Sequence, residues 1–189
     1  MNVLKLISPI PLSVNHYLGT RAILKNGKPM AMVYETGEAK KYKIKFIKYI
    51  HDEIKNQNWN LPVTKTQHFY CDCVFYFDRI DKDCNNYFKL LLDSITESGA
   101  IWADDNVVCE RVNRIYYDSD NPRIEITIYP VEYVGIFDNQ DQLDLFEKKC
   151  KSCARYSRNC SILNKAKDGR IQKEIVNFVC GKYKENKDK

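Results

Sequence analysis

The stretch IDKDCNNYFKLLLDSITESGAIWADDNVV (residues 80–108) contains acidic residues at both ends and an amphipathic segment between them. From Asn85 to about Glu97, apolar residues recur at steps of three and four, which predicts a helix with one buried face. These residues are Phe88, Leu91, Leu92 and Ile95. Gly99 follows, and glycine commonly ends a helix because it tolerates a positive φ. The segment after Gly99 is long enough to return the second acidic pair towards the helix start.

Carboxylates from the two ends of this stretch are therefore expected to converge beside one lysine. Asp83 lies at the helix start, Lys89 and Asp93 follow on one stripe of the helix, and Asp104 and Asp105 close the stretch. Carboxylate oxygens bind Mg²⁺, and a lysine can neutralise the charge that grows on a phosphate during hydrolysis. The pattern is typical of a magnesium-dependent phosphodiesterase. Solvated acids at helix ends with an i, i+4 lysine–aspartate pair would show the same spacing.

The same stretch resembles a family signature. It follows the pattern D-x-D-N-x-x-K-x3-D, then a helix end with glycine, then D-D, which is the hallmark of the RusA family of Holliday junction resolvases of bacteria and their phages. The matching positions are Asp83, Asn86, Lys89, Asp93, Gly99, Asp104 and Asp105. A second signature, proline then asparagine then an aromatic residue, is matched by Pro11, Asn15 and Tyr17. Together the matches cover Met1 to about Pro130.

This resemblance implies a fold, an activity and a set of site residues. A RusA-like α/β (α+β) fold would have a mixed β-sheet with helices packed on it. The activity would be Mg²⁺-dependent hydrolysis of four-way and related branched DNA by a homodimer in recombination and repair, with Mn²⁺ as a substitute metal. The catalytic residues would be Asp83, Asn85, Lys89 and Asp105, and the Mg²⁺ ligands would be Asp83, Asn85, Asp104 and Asp105.

One position departs from the family pattern. Asn85 stands where the family has aspartate, so the site loses a negative charge unless Asp81 or Asp104 compensates. An amide oxygen is a neutral and weaker ligand for Mg²⁺ than a carboxylate. The alternative function is therefore a non-catalytic accessory protein that binds branched DNA and whose metal site has decayed.

Composition places the chain among globular proteins, and its net charge is compatible with an anionic partner but too small to establish one. The 189 residues carry a formal net charge of +5 and are 44% hydrophobic, which suffices for one core and a small appended module. No apolar run approaches the length of a membrane helix, and the first residues lack the pattern of a signal peptide. We expect a cytoplasmic protein of a bacterium or of a phage-infected host cell.

Residues 1–132 are predicted to form the nuclease domain, with alternating strands and helices. Strands are expected at Leu4–Ile10, Gln67–Phe77, Val107–Tyr117 and Arg123–Tyr129, and a helix at Thr36–Gln57. The Gln67–Phe77 strand is rich in β-formers on both faces, so it should be central and covered on both sides. The turn residues before Arg123 suggest that the last two strands pair as a hairpin.

A basic and aromatic segment near the N-terminus is a candidate DNA contact. A turn is expected at Asn26–Gly27. Cations neutralise phosphates and aromatic rings stack on bases. The predicted DNA-binding residues are Asn15, Tyr17, Arg21 and Lys25, together with Asn86 from the family signature. A solvent-exposed hairpin with surface lysines would have the same composition.

Residues 133–147 are predicted to be a linker that contains a partner-binding peptide. The residues QLDLF resemble the consensus by which bacterial replication and repair proteins dock on the DNA polymerase sliding clamp. Gln142, Leu143, Leu145 and Phe146 would be the contacts. Leucine and phenylalanine anchors can fill a hydrophobic groove while glutamine bonds at its rim. The alternative is the first turn of an amphipathic helix capped by Asp141, with Leu143 and Phe146 packed internally.

Residues 148–182 contain a cysteine array with the spacing C-x2-C-x6-C-x19-C. Its members are Cys150, Cys153, Cys160 and Cys180. Four thiolates on a short segment suit a tetrahedral structural Zn²⁺, and an iron–sulfur cluster could use the same four sulfurs. A module this small rarely folds without a metal or disulfide. Residues 183–189 are predicted to be a disordered tail.

Overall fold

The computed structural model describes residues 2–186. The chain divides into two compact units, Met1–Val131 and Glu132–Lys189. Unit 1 contains six strands and three helices, and the bounds are β1 (Leu4–Pro9), α1 (Val14–Tyr17), β2 (Leu18–Lys25), β3 (Lys28–Glu35), α2 (Gly37–Asn56), β4 (Phe69–Phe77), α3 (Asn85–Glu97), β5 (Val108–Tyr117) and β6 (Arg123–Pro130). The predicted mixed β-sheet with packed helices is confirmed.

The main sheet of unit 1 has four strands in the order β1-β6-β4-β5. β4 is a central strand, as predicted, and it pairs antiparallel with β6 and parallel with β5. The predicted hairpin between β5 and β6 is wrong, because β4 lies between the two strands. A parallel neighbour requires a crossover connection, and α3 supplies it between β4 and β5.

One face of the sheet carries the core. Along β4 the residues Phe69, Cys71, Cys73, Phe75 and Phe77 are fully buried and alternate with half-buried ones. They pack with apolar residues of α2 and α3. Cys71 and Cys73 are small core residues, as the sequence suggested. Coverage on both faces was also expected, and this is wrong. The alternate residues of β4 are only half-buried and include tyrosine and aspartate.

The other face of the sheet is layered with arginine and tyrosine. Arg111 donates two hydrogen bonds to Asp72, from Nε at 2.6 Å and from Nη2 at 3.0 Å, and it stacks over the Tyr70 ring at 3.8 Å. Arg123 stacks over Tyr76 at 3.6 Å. Because carboxylates neutralise these guanidinium groups, this face is not a bare cationic surface.

Strands β2 and β3 form a separate two-stranded hairpin, here called the β2–β3 arm. The predicted turn is confirmed, since Asn26 and Gly27 have φ of 54° and 73°. Two consecutive positive φ values are those of a type I′ turn, which favours Asn-Gly. Most residues of both strands are exposed.

The base of the arm is fixed to the helices. Lys43 of α2 forms salt bridges to Glu35 at 2.5 Å and to Glu97 at 2.8 Å, so one cation joins the end of β3, α2 and the end of α3. The backbone N–H of Thr36 donates to the Tyr17 carbonyl at 2.9 Å. Tyr17 is buried against Leu90 of α3. The arm is therefore anchored on the helix that carries the acidic signature.

Unit 2 contains α4 (Gln140–Lys151), α5 (Ile162–Lys167) and a short hairpin of β7 (Ile175–Val176) with β8 (Val179–Cys180). Its core is small and consists of Phe137, Leu143, Phe146, Leu163 and Ala166. The predicted linker 133–147 is wrong in its second half, because α4 begins at Gln140. Its cap is Asn139, whose side chain accepts the Gln142 N–H at 3.0 Å, and not Asp141.

Part of the predicted disordered tail is also ordered. The backbone of Ala154 donates to the Lys184 carbonyl at 2.8 Å, and Asn186 donates to the Ser152 carbonyl at 3.2 Å. The Tyr183 ring lies 4.2 Å from Lys149 Nζ. Residues 183–186 thus pair with the segment after α4, and residues 187–189 lie outside the described residues.

Candidate active site

The candidate site is built around the single lysine of α3. Lys89 Nζ lies 2.5 Å from Asp93 Oδ1 on the next helical turn and 3.8 Å from Asp105 Oδ2. The lysine side chain is 53% exposed and the Asp105 side chain 36% exposed, so an anionic substrate can reach both. Asp105 thus approaches Lys89 from a separate segment, while the convergence of Asp83 with Asp105 at one metal ion stays a prediction.

Packing of the segment after α3 explains why these groups meet. The buried face of α3, which includes Phe88, Leu91 and Ile95, turns the Lys89 stripe outward. After Gly99, at φ 63°, Ile101 and Trp102 are fully buried. The Trp102 indole Nε1–H donates to Thr96 Oγ1 of α3 at 2.8 Å. This contact holds the returning chain against the helix, and a 3-10 turn at Asp105–Val107 then presents the acid.

Electrostatics keep the lysine in its charged form. The hydrogen bond that Lys89 donates to Asp93 raises the pKa of the lysine, and the negative charges of Asp93 and Asp105 raise it further against the opposing effect of desolvation. A lysine with a raised pKa remains an ammonium at neutral pH. It is therefore suited to neutralise a phosphate and not to act as a general base.

The other acids of the signature are exposed at the two ends of the stretch. Asp83 Oδ1 accepts the backbone N–H of Asn85 at 3.0 Å, and Asp104 Oδ1 accepts that of Asn106 at 3.0 Å. Each carboxylate thus stabilises the turn on which it stands.

The donor chemistry of these residues fits Mg²⁺. Within residues 2–186, no group of three or more histidine, cysteine or acidic side chains is arranged to hold a metal ion. Mg²⁺ does not require one, since it is usually bound by one or two carboxylates and keeps several waters until substrate phosphates replace them. The exposed carboxylates of Asp83 and Asp104, the half-buried carboxylate of Asp105 and the Asn85 amide are all hard oxygen donors.

The loop before α3 contains ion pairs that the sequence did not predict. Arg79 Nε lies 2.8 Å from Asp81 Oδ1, and Lys82 Nζ lies 2.5 Å from Asp78 Oδ1. Asp81 is thus paired with an arginine on an exposed loop, and such an exposed pair is weak. The alternation of charges in DRIDKD was the available signal for these pairs.

The predicted DNA-binding residues divide between exposed and buried positions. Asn15, Arg21 and Lys25 are exposed on α1 and the β2–β3 arm, and Asn86 is half-buried at the start of α3. Tyr17 is only 5% exposed. The prediction that its ring stacks on DNA is therefore wrong. Its role is to pack the base of the arm on α3.

The predicted clamp-binding residues form part of a helix. Gln142 bonds back to Asp138 as donor at 3.0 Å, and Leu143 and Phe146 are buried in the core of unit 2. Leu145 is exposed. A helix that already uses two of its anchors internally cannot offer them to a groove. The structure therefore contradicts the extended clamp-binding peptide and shows the amphipathic helix instead.

The four cysteines of unit 2 line one cavity of about 580 Å³. Burial raises the pKa of Cys150 to about 11, and the charges of Cys180, Cys160 and Cys153 add to the effect. Burial also acts to raise the pKa of Cys153, but N–H donors from Lys184 and Arg155 outweigh it and lower that pKa. These four cysteines lie within residues 2–186, where no three metal-ligating side chains are close enough together to hold an ion.

Helices long and apolar enough to cross a membrane are absent from residues 2–186.

Comparison with known proteins agrees with the geometry in unit 1. The model of a family described as Endodeoxyribonuclease RusA matches residues 9–129. This range includes the whole acidic signature, α3 and the β2–β3 arm, and it ends before unit 2. No curated protein matches the chain.

Proposed function

Because the chain belongs to the RusA family of endodeoxyribonucleases, whose members act as Holliday junction resolvases, we propose that it cleaves branched DNA in a Mg²⁺-dependent reaction during recombination and repair. The observation that carries this proposal is the contact of Lys89 with Asp105, two signature residues from separate segments. A four-way junction is the proposed substrate.

The residues at the site would divide the chemistry between them. Asp83, Asn85, Asp104 and Asp105 would hold Mg²⁺, which when bound polarises the phosphate and activates a water. Lys89 would contact a non-bridging phosphate oxygen and stabilise the negative charge that develops there. Asp93 holds the ammonium from the neighbouring helical turn, so it is a positioning residue. Asn85 weakens the metal site because it contributes no charge.

The β2–β3 arm and α1 would contact the DNA backbone. Arg21, Lys25 and Lys28 are exposed on the arm, and Asn15 is exposed beside its base. Phosphate contacts of this kind are insensitive to sequence and weaken steeply with added salt. Asn86 stands on the Lys89 stripe of α3 and would reach the strand that is cut.

We propose that the chain acts in the cytoplasm as a homodimer. The dimer is proposed because resolution of a junction requires two cuts in strands related by two-fold symmetry. A two-fold dimer provides two equivalent sites for them. Mass measurement in solution, with and without a junction, tests this part of the proposal. A chain that remains monomeric on the junction would contradict it.

Cleavage of a synthetic four-way junction tests the activity. Wild type should cut it in Mg²⁺ or Mn²⁺, and Asp105→Asn should not. Lys5→Ala is a suitable control, because Lys5 is exposed on β1, at the opposite edge of the sheet from β5, and on the face of β1 that turns away from the core shared with α3. A second function is favoured by Asn85, which reduces the charge of the metal site. If wild type binds the junction but leaves it intact in both metals, the chain is an accessory protein that binds branched DNA.

A further inference from the structure

The cysteines of unit 2 come from four separate positions and meet at one cavity. Cys150 lies in the last turn of α4 and Cys153 just after it, Cys160 precedes α5, and Cys180 ends β8. Cys71 and Cys73, by contrast, are sealed in the core of unit 1. Convergence of cysteines that are up to thirty positions apart is not required by burial of apolar groups, because Cys160 is exposed.

Local backbone geometry presents these sulfurs to the cavity. Asn177 and Phe178 have φ of 50° and 59°, so they form the tight turn that brings β8 and its Cys180 back beside β7. The backbone of Phe178 is strained at this positive φ, because the left-handed region favours glycine or asparagine over residues with bulky side chains. The Phe178 ring lies 6.0 Å from that of Phe137, which fixes the turn to the small core.

A backbone donor is aimed at one of the sulfurs. The N–H of Lys184 donates to Cys153 Sγ at 3.4 Å, and the Lys184 carbonyl accepts from Ala154. Hydrogen bonds to a sulfur favour its thiolate, which is the form that binds metals. The chain that follows Cys180 is thereby paired with the chain that follows Cys150.

Positive side chains surround the same cavity. Its lining includes Lys149, Arg155, Lys167, Lys182 and Glu147 as well as the four cysteines. Lys167 is paired with Glu147 and Lys182 with Glu174, so Lys149 and Arg155 are the cations that could balance thiolate charge. Four thiolates exceed the charge of one divalent cation by two. Nearby cations would offset that excess.

We propose that Zn²⁺ binds the thiolates of Cys150, Cys153, Cys160 and Cys180 and is the structural metal of unit 2. Zinc prefers a closed tetrahedral set of four such ligands, with Zn–S distances of about 2.3 Å. The four thiols line the cavity but are too far apart to coordinate one ion as they stand. Zinc binding would therefore draw the four sulfurs closer together. The free energy of binding then becomes folding free energy for a unit whose core has five buried residues.

Metal analysis of the full-length protein, purified without chelator, tests this site independently of DNA cleavage. We expect about one zinc per chain. Co²⁺ substitution should give the visible absorption of a tetrahedral thiolate site. Cys160→Ser should lose most of the metal, while Cys109→Ser, in β5, should keep it. Cys160 is exposed, so its replacement leaves the packing of the core intact.

Several results would overturn the proposal. The first is a protein that contains no metal and takes up neither Zn²⁺ nor Co²⁺. The second is full zinc content in Cys160→Ser. The third is a brown preparation that contains iron and sulfide in place of zinc. Zinc in Asp105→Asn at the wild-type level would support it and would separate this site from the nuclease site. Thermal unfolding followed with and without chelator adds a second readout. Chelator should lower the transition of wild type and leave that of Cys160→Ser unchanged.

Discussion

The sharpest prediction concerns the charge of Lys89. Substitution Lys89→Met keeps the length of the side chain and removes its ammonium. The interaction of two unit charges at 3.8 Å, the separation of Lys89 Nζ from Asp105, is about 1 kcal/mol in water and about 4 kcal/mol at an effective dielectric constant of 20. Because the lysine is half exposed, an intermediate value of about 2 to 3 kcal/mol is appropriate for its effect on a phosphate at similar distance. This corresponds to a roughly 30- to 160-fold lower cleavage rate.

Single-turnover cleavage of a labelled four-way junction at saturating Mg²⁺, with enzyme in excess, measures this rate. Binding of the junction in Ca²⁺ is measured in parallel and should change far less than the rate, because one phosphate contact among several is lost. Lys5→Met is the matched control and should cleave at the wild-type rate, because Lys5 is exposed on β1 at the opposite edge of the sheet. If Lys89→Met cleaves within threefold of wild type, the assignment of Lys89 as the residue that stabilises the developing charge is refuted.

Three further predictions concern the metal site, the base of the arm and unit 2. Asn85→Asp adds a carboxylate and should lower the Mg²⁺ concentration for half-maximal cleavage by about tenfold; an unchanged titration would exclude residue 85 from the metal site. Hydrogen bonds to two glutamates raise the pKa of Lys43 despite desolvation. Its contribution to stability is therefore complete below the unfolded pKa of about 10.5 and is lost as the pH rises through the folded value. Urea unfolding should show this loss in wild type and not in Lys43→Met. Phe146→Ala should destabilise unit 2 by about 3 kcal/mol and Leu145→Ala by less than about 0.5 kcal/mol in denaturant titrations, whereas equal effects would contradict the helical packing of α4.

Local sequence signals were sufficient for the elements that carry the site. The three- and four-residue periodicity around Phe88 and the glycine after it predict α3 closely, because both are properties of a short segment. For the contact between Lys89 and Asp105, the sequence showed only that the segment after Gly99 is long enough to reach back along α3. It depends on Trp102, whose burial against α3 directs the return of the chain and is a tertiary effect.

The errors also have physical causes. The turn before Arg123 reads as a hairpin, and nothing local to β5 and β6 reveals that β4 is inserted between them. A leucine and a phenylalanine three residues apart, Leu143 and Phe146, suit a partner's groove and the protein's own core equally well. The sequence identified Tyr17 as part of a family signature, but the same aromatic ring can face a base or pack under a strand.

The salt bridges of Lys43 bear on the distance between the proposed DNA contacts of the β2–β3 arm and Lys89. Because this cation joins Glu35 at the base of the β2–β3 arm to Glu97 at the end of α3, the arm cannot swing at its root without breaking the salt bridge between Lys43 and Glu35. An arm of eight residues per strand extends roughly 26 Å, about twice the width of the major groove. If the arm contacts the DNA backbone as proposed, Arg21, Lys25 and Lys89 would keep a set spacing, and the position of the arm on the backbone would determine which phosphodiester lies before the lysine.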